Sequence, residues 1–253
     1  MGGTLGTDTN APKCDGGTTA LIENRPGTPQ GAQSDAGSLS RPVKPDNASK
    51  SVLKESILRF LADNKAIDRL NFKFKTYNIW PGAYRTDVRN AMQSGNIRFR
   101  YLEQSEGAAG VAASYSFEFD IMNIARNFDV GDAYDQSYFI HECTHAYTDK
   151  LNLGLQDRFT NEGVAYLAQA IFVKACNQNP IGGLPVYDVA RDIADSLASS
   201  GAYEVPDADA DKLIAQVAGE KSYQDANKKP LYSSGFKAGA LETSLRVLDL
   251  TTW

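Results

Sequence analysis

The chain has 253 residues, 42% of them hydrophobic and 23% charged, which suits a globular protein long enough to bury a sizeable core. Its formal net charge of -5 argues against a general nucleic-acid binder. No apolar run approaches the roughly 18 residues that a membrane span requires.

Residues 1–50 hold eight of the 21 glycines, five of the ten prolines and no aromatic residue. Such a stretch buries too little apolar surface to offset its ordering entropy, so a disordered Gly/Pro/Thr-rich tail is expected there, with one folded domain over 51–253. The N-terminus has neither a basic start nor an apolar core of a secretory signal. A cytoplasmic location is therefore the default expectation, with leaderless export as the alternative. Cys14, Cys143 and Cys176 are too few and too scattered for a disulfide framework, and reduced thiols are expected.

Order is predicted to begin at SVLKESILRFLADN, where Val52, Leu53, Ile57, Leu58 and Leu61 recur at helical spacing behind a Ser51 cap. Three stretches with alternating apolar residues follow: NFKFKTY (71–77), IRFRYL (97–102) and SYSFEFDI (114–121). Period two with one polar face predicts half-buried antiparallel strands. The interleaved Lys and Arg side chains read as a solvated sheet face rather than a nucleic-acid platform. From about residue 132 the pattern turns helical. Asp132 is placed to cap a helix reaching about Leu151, and Gly154 to end the turn that follows. A second helix is predicted from near Asn161, with others at 186–199, 208–219 and 234–249. Strands first and helices afterwards make an α+β domain.

Both histidines of the chain lie in FIHECTHAYTD, residues 139–149. On a helix His141 and His145 fall one turn apart on one face, so both imidazoles can address one metal ion. Glu142 sits about 100° further round, where its carboxylate reaches a water held by that ion. Imidazole and carboxylate ligands suit zinc, and a catalytic zinc needs a third protein ligand plus an open position. With no third histidine, cysteine and carboxylate remain. Asp149 shares the face but lies about 12 Å along the axis from His141, which makes it an outer partner at best. Cys143 points away from that face. Glu162, in FTNEGVAYLAQA with sixteen residues between it and His145, is the best candidate, because a helix–turn–helix return of that length brings its carboxylate back beside the pair.

HECTHAYTD followed by NEGVAY resembles the gluzincins, the zincin metallopeptidases that include thermolysin-like enzymes and zinc aminopeptidases. Residues 141–149 match the thermolysin-like pattern HExTHAxTD at every specified position, and residues 161–165 match the aminopeptidase pattern NEGxA. The resemblance covers some thirty residues in detail. It implies a zincin-like fold: a small antiparallel or mixed sheet, then the active-site helix, then a mainly helical C-terminal half. It also implies Zn2+ on His141, His145 and Glu162, Glu142 as general base, Asn161 and Asp149 in support, and a peptide or protein substrate lying along SYSFEFDI. The spacer is slightly shorter than in either group. Tyr166 occupies the position where thermolysin-like enzymes have an aspartate hydrogen-bonded to a zinc histidine. No histidine is left to hold the oxyanion, so Tyr232, Tyr203 and Arg158 are the candidates. The alternative readings are a non-catalytic zincin-like binding domain and a peptidase effector or toxin exported without a leader.

Overall fold

The computed structural model describes residues 47–102, 112–125, 127–220, 231–233 and 236. Helix α1 (Asn47–Asp63) starts four residues ahead of the Ser51 cap that the sequence predicts. Nothing after Pro45 breaks a helix, so the last residues assigned to the tail are drawn into the first turn. The tail expected over 1–50 otherwise lies outside the described residues. Ile57, Leu58 and Leu61 of α1 are buried. Two arginines tie down the C-terminal end of α1. Arg85 donates to the carbonyls of Ala62 and Asn64 at 2.6 and 3.0 Å, and Arg89 to Leu58 at 3.1 Å. Ala62 is among the last four residues of α1, whose carbonyls a helix end leaves without intrahelical partners, and cations are favoured there.

The NFKFKTY stretch is a tight hairpin rather than one strand. β1 (Phe72–Phe74) pairs antiparallel with β2 (Tyr77–Ile79), Phe74 opposite Tyr77. Lys75 turns the chain at φ 52, a conformation usually left to Gly or Asn, which is why the turn carries no compositional signal. A π-helical turn (Ala83–Val88) then runs into α2 (Arg89–Ser94), which Gly95 ends at φ 84. That turn drives Tyr84 into the core, fully buried, with its hydroxyl 2.9 Å from Thr144 Oγ1.

The main sheet has three strands: β3 (Arg98–Leu102), β4 (Ala113–Ser116) and β5 (Ile121–Ala125), in the order β3-β5-β4. β4 and β5 are antiparallel but β3 runs parallel to β5, so the sheet is mixed: this corrects the antiparallel reading of the alternation and falls within the antiparallel or mixed sheet expected. Periodicity cannot tell the two apart here, because β3 is an edge strand and stays half-buried whatever its direction. SYSFEFDI is likewise two elements. β4 ends at Ser116, residues 117–120 form a turn closed by Asp120 at φ 51, and β5 begins at Ile121. Alternation runs on through the turn and conceals it.

Helix α3 (Ala133–Lys150) begins where expected. The Asp132 carboxylate accepts from the N–H groups of Tyr134 and Asp135 at 2.9 Å each. A short strand β6 (Gly154–Gln156) follows, then α4 (Arg158–Ala175), capped by Asp157 through the N–H of Thr160 at 2.7 Å. The helix therefore starts three residues before Asn161, and Glu162 sits in its second turn rather than its first. α4 is apolar nearly all round because it is enclosed by α3, α5 (Pro185–Ser200) and α6 (Asp207–Gly219). Phe60, Phe139 and Phe172 tie α1, α3 and α4 together, with ring centroids 5.9–6.2 Å apart. α5 runs in the same direction as α4, since Tyr187 packs on Tyr166 at one end and Asp195 pairs with Lys174 at the other. β7 (Leu231–Ser233) pairs antiparallel with β6. The helix predicted at 234–249 lies outside the described residues.

Cys143 is free and fully buried, whereas Cys176, at the C-cap of α4, is disulfide-bonded. That corrects the expectation of reduced thiols: a count of three excludes a framework but not one bridge, which needs only two suitably spaced backbone positions. Among the described residues no helix is long and apolar enough to cross a membrane.

Candidate metal centre

α3 and α4 pack side by side and bring three predicted residues together. His141 and His145 Nε2 are 3.2 Å apart, and each lies 3.4 Å from Glu162 Oε2. All three residues are buried, at 7, 5 and 8% exposure. A tetrahedral ion with bonds of about 2.0–2.1 Å sets its ligand atoms about 3.3 Å apart. The observed triangle has that size, and the three side chains form a group placed to hold a metal ion.

The charges point the same way. Although burial opposes it, the charges and hydrogen bonds of His145 and His141 hold the Glu162 carboxyl well below the ordinary carboxylate range. Burial also opposes protonation of His145, yet the Glu162 carboxylate raises that imidazole to about 9. The pocket thus demands positive charge, which either a proton or a metal ion supplies.

A buried polar chain sets the ring of His145. Asn161, fully buried, donates from Nδ2 to Thr148 Oγ1 and Gln156 Oε1, each at 2.8 Å. Its Oδ1 is left to accept from His145 Nδ1 at 2.6 Å, which leaves the Nε2 lone pair free for a metal. Tyr77 steadies Gln156 through its hydroxyl at 2.7 Å. Asn161→Ala removes this support, and the expected result is a 10- to 100-fold weaker metal affinity in a competition titration against a chelating dye. His141 has no such support. Its Nδ1 is buried with no hydrogen-bond partner among the described residues, and Tyr166 packs edge-on against its ring at 4.8 Å.

Glu142 does not touch this triangle. Its Oε2 accepts the backbone N–H of Tyr115, on edge strand β4, at 2.7 Å. Burial pushes its carboxyl above the ordinary value, against the pull of the two histidines and the Tyr115 N–H. Tyr115 is itself fixed by its hydroxyl, 2.9 Å from Asp149 Oδ2 and 3.1 Å from Asp120 Oδ1. Asp149 is therefore an outer residue, fully buried, that holds Tyr115 of the sheet. Phe117, in the turn after β4, packs on the ring of His145 with centroids 5.8 Å apart. Gly163 of the NEG motif has a packing role: a Cβ there would stand 3.2 Å from Phe74 Cζ.

Of the oxyanion candidates, Tyr203 is engaged away from the triangle. Tyr203 is 43% exposed and directs its hydroxyl to Asn78 at 3.4 Å, on the β1–β2 hairpin. Arg158 opens α4 one turn before Glu162. Tyr232 stands in β7 opposite Leu155, and its side chain lies outside the described residues. Tyr187 of α5 goes unnoticed in the sequence. Burial, the Tyr138 and Tyr166 hydroxyls and the charge of Glu142 together push its phenol up, and its ring packs on that of Tyr166, which in turn packs on His141. Neither Tyr187 nor the Tyr115 N–H carries a sequence signal, since one comes from a separate helix and the other from the backbone.

Comparison with family models, with curated proteins and with solved structures returned no match for this chain.

Proposed function

We propose that the chain is a zincin-like metallopeptidase, hydrolysing peptide bonds with Glu142 as general base beside a zinc site made of His141, His145 and Glu162. The observation that carries this reading is the position of Glu142. A purely structural zinc prefers four closed ligands and has no use for a carboxylate held just outside them by an edge strand. The two-nitrogen, one-oxygen donor set suits zinc, and the spacing of the three atoms fits its bond lengths. When bound there, zinc supplies a Lewis acid for the carbonyl oxygen and lowers the pKa of a coordinated water towards 7.

The chain's own residues do the rest. Glu142, with its raised carboxyl, accepts the proton of the attacking water and passes it to the leaving amine. The Tyr115 N–H holds Glu142 in place without neutralising it. β4 is an edge strand of the described sheet, so the backbone groups on its open side, apart from the Tyr115 N–H that Glu142 takes, are those an extended peptide would pair with. Phe117, in the turn after that strand, packs on the ring of His145.

Metal analysis of purified protein should find about one zinc per chain. Chelation should stop hydrolysis of a peptide library, and added zinc should restore it. Protein without metal that still cleaves peptides would overturn the reading.

A further inference from the structure

A cavity of 310 Å³ runs along the seam between α4 and α5. Gln169 and Tyr187 are among its lining residues; Ala170, Val173 and Ile181 give it an apolar wall, and Asn177 and Gln178 add uncharged polar groups. Tyr187 links it to the metal centre through a chain of rings: it packs on Tyr166 at 5.3 Å, and Tyr166 packs on His141 at 4.8 Å. Its charged lining residues are matched. Lys174 pairs with Asp195, and Arg191 pairs with Asp188 and Asp192 at 2.8 and 3.3 Å. Those pairings leave little attraction for a charged ligand, while the apolar wall favours an uncharged one.

The volume is at the lower end of ligand pockets, about 300 Å³, enough for one large side chain with its neighbouring backbone. Gln169 lies seven residues beyond Glu162 on α4, about 10 Å along the helix. An extended peptide advances about 3.4 Å per residue, so about three residues cover that distance.

We propose that this cavity is a remote recognition pocket, taking an uncharged apolar side chain of a peptide about three residues away from the bond held at the metal centre. The proposal rests on the peptidase reading for the nature of its ligand. It places selectivity on α4 and α5, away from the strand edge that carries the peptide backbone.

The test uses zinc-loaded Glu142→Gln protein, which binds without turnover, and fluorescent ten-residue peptides in which one Leu is walked along a Gly/Ser background. Polarisation should show binding about tenfold tighter when the Leu stands about three residues from the central bond than when Ser does. Ala170→Trp fills the cavity, and Ile181→Asp places a charge in its wall from a separate loop. Each should reduce the Leu-to-Ser ratio to about one, with zinc content and melting temperature checked to confirm folding. A flat response along the walked series, or a ratio unchanged in both folded variants, overturns the pocket. Wild-type protein that cleaves these peptides while the ratio survives both changes leaves the peptidase reading standing and removes the pocket. If the ratio collapses as expected but wild-type protein cleaves none of them, the pocket stands and hydrolysis falls.

Discussion

Glu142→Gln is expected to cut peptide hydrolysis by about 1,000-fold or more while zinc content stays at one per chain. The argument rests on what the glutamine keeps. Its amide oxygen can still accept the Tyr115 N–H now held at 2.7 Å, so β4 and the side chain retain their positions. The three predicted ligands are other residues, and the triangle of 3.2 and 3.4 Å contacts is untouched. What disappears is the capacity to take a proton. A carboxyl that burial raises above its ordinary value is a better proton carrier near neutrality than an exposed one, whereas an amide carries none. The measurement compares initial rates on one peptide at saturating zinc, with metal content determined on the same samples. Activity retained within a few-fold of wild type would mean that another group serves as base.

Glu162→Ala should instead remove the metal. Affinity is expected to fall by more than about 100-fold, beyond the upper end of what an outer partner such as Asn161 costs. The two variants thereby rank the residues: a ligand loss must exceed the loss of the group that merely orients a ligand. Stability offers a second readout. Metal that binds only the folded protein raises its melting temperature by mass action, so a chelator should lower the melting point of wild type and leave that of Glu162→Ala unchanged. Equal metal affinity in wild type and Glu162→Ala would move the third ligand to another residue. In that case the buried contacts of Glu162 with both histidines would be a structural ion pair.

The helical half of the fold was legible because its signals are local. Asp132 caps α3 as read, and α5 and α6 fall within one residue of their predicted starts. The strands were read less well. Alternation marks where a chain is extended, but a two-residue turn at Lys75 and a four-residue turn closed by Asp120 leave the apolar and polar order intact. β6 and β7 were missed because three-residue strands exist only through their mutual pairing, between segments some 75 positions apart.

For the site, the sequence alone determined the histidine pair, since four residues on a helix is one turn whatever surrounds it. It also demoted Asp149, because 12 Å along one helix cannot be closed by side chains, and it pointed to Glu162 by spacing and residue type. Only the tertiary structure decided the rest. The packing of α4 on α3 closes the triangle to 3.4 Å, and an α4 that starts at Arg158 frees Asn161 from capping so that it can hold His145. The hydrogen bond that fixes Glu142 comes from a backbone N–H, a group every non-proline residue has and no sequence pattern singles out. Local periodicity encodes which residues share a face. Which faces meet, and which backbone groups they leave to be used, follows from how the helices and the strand edge pack.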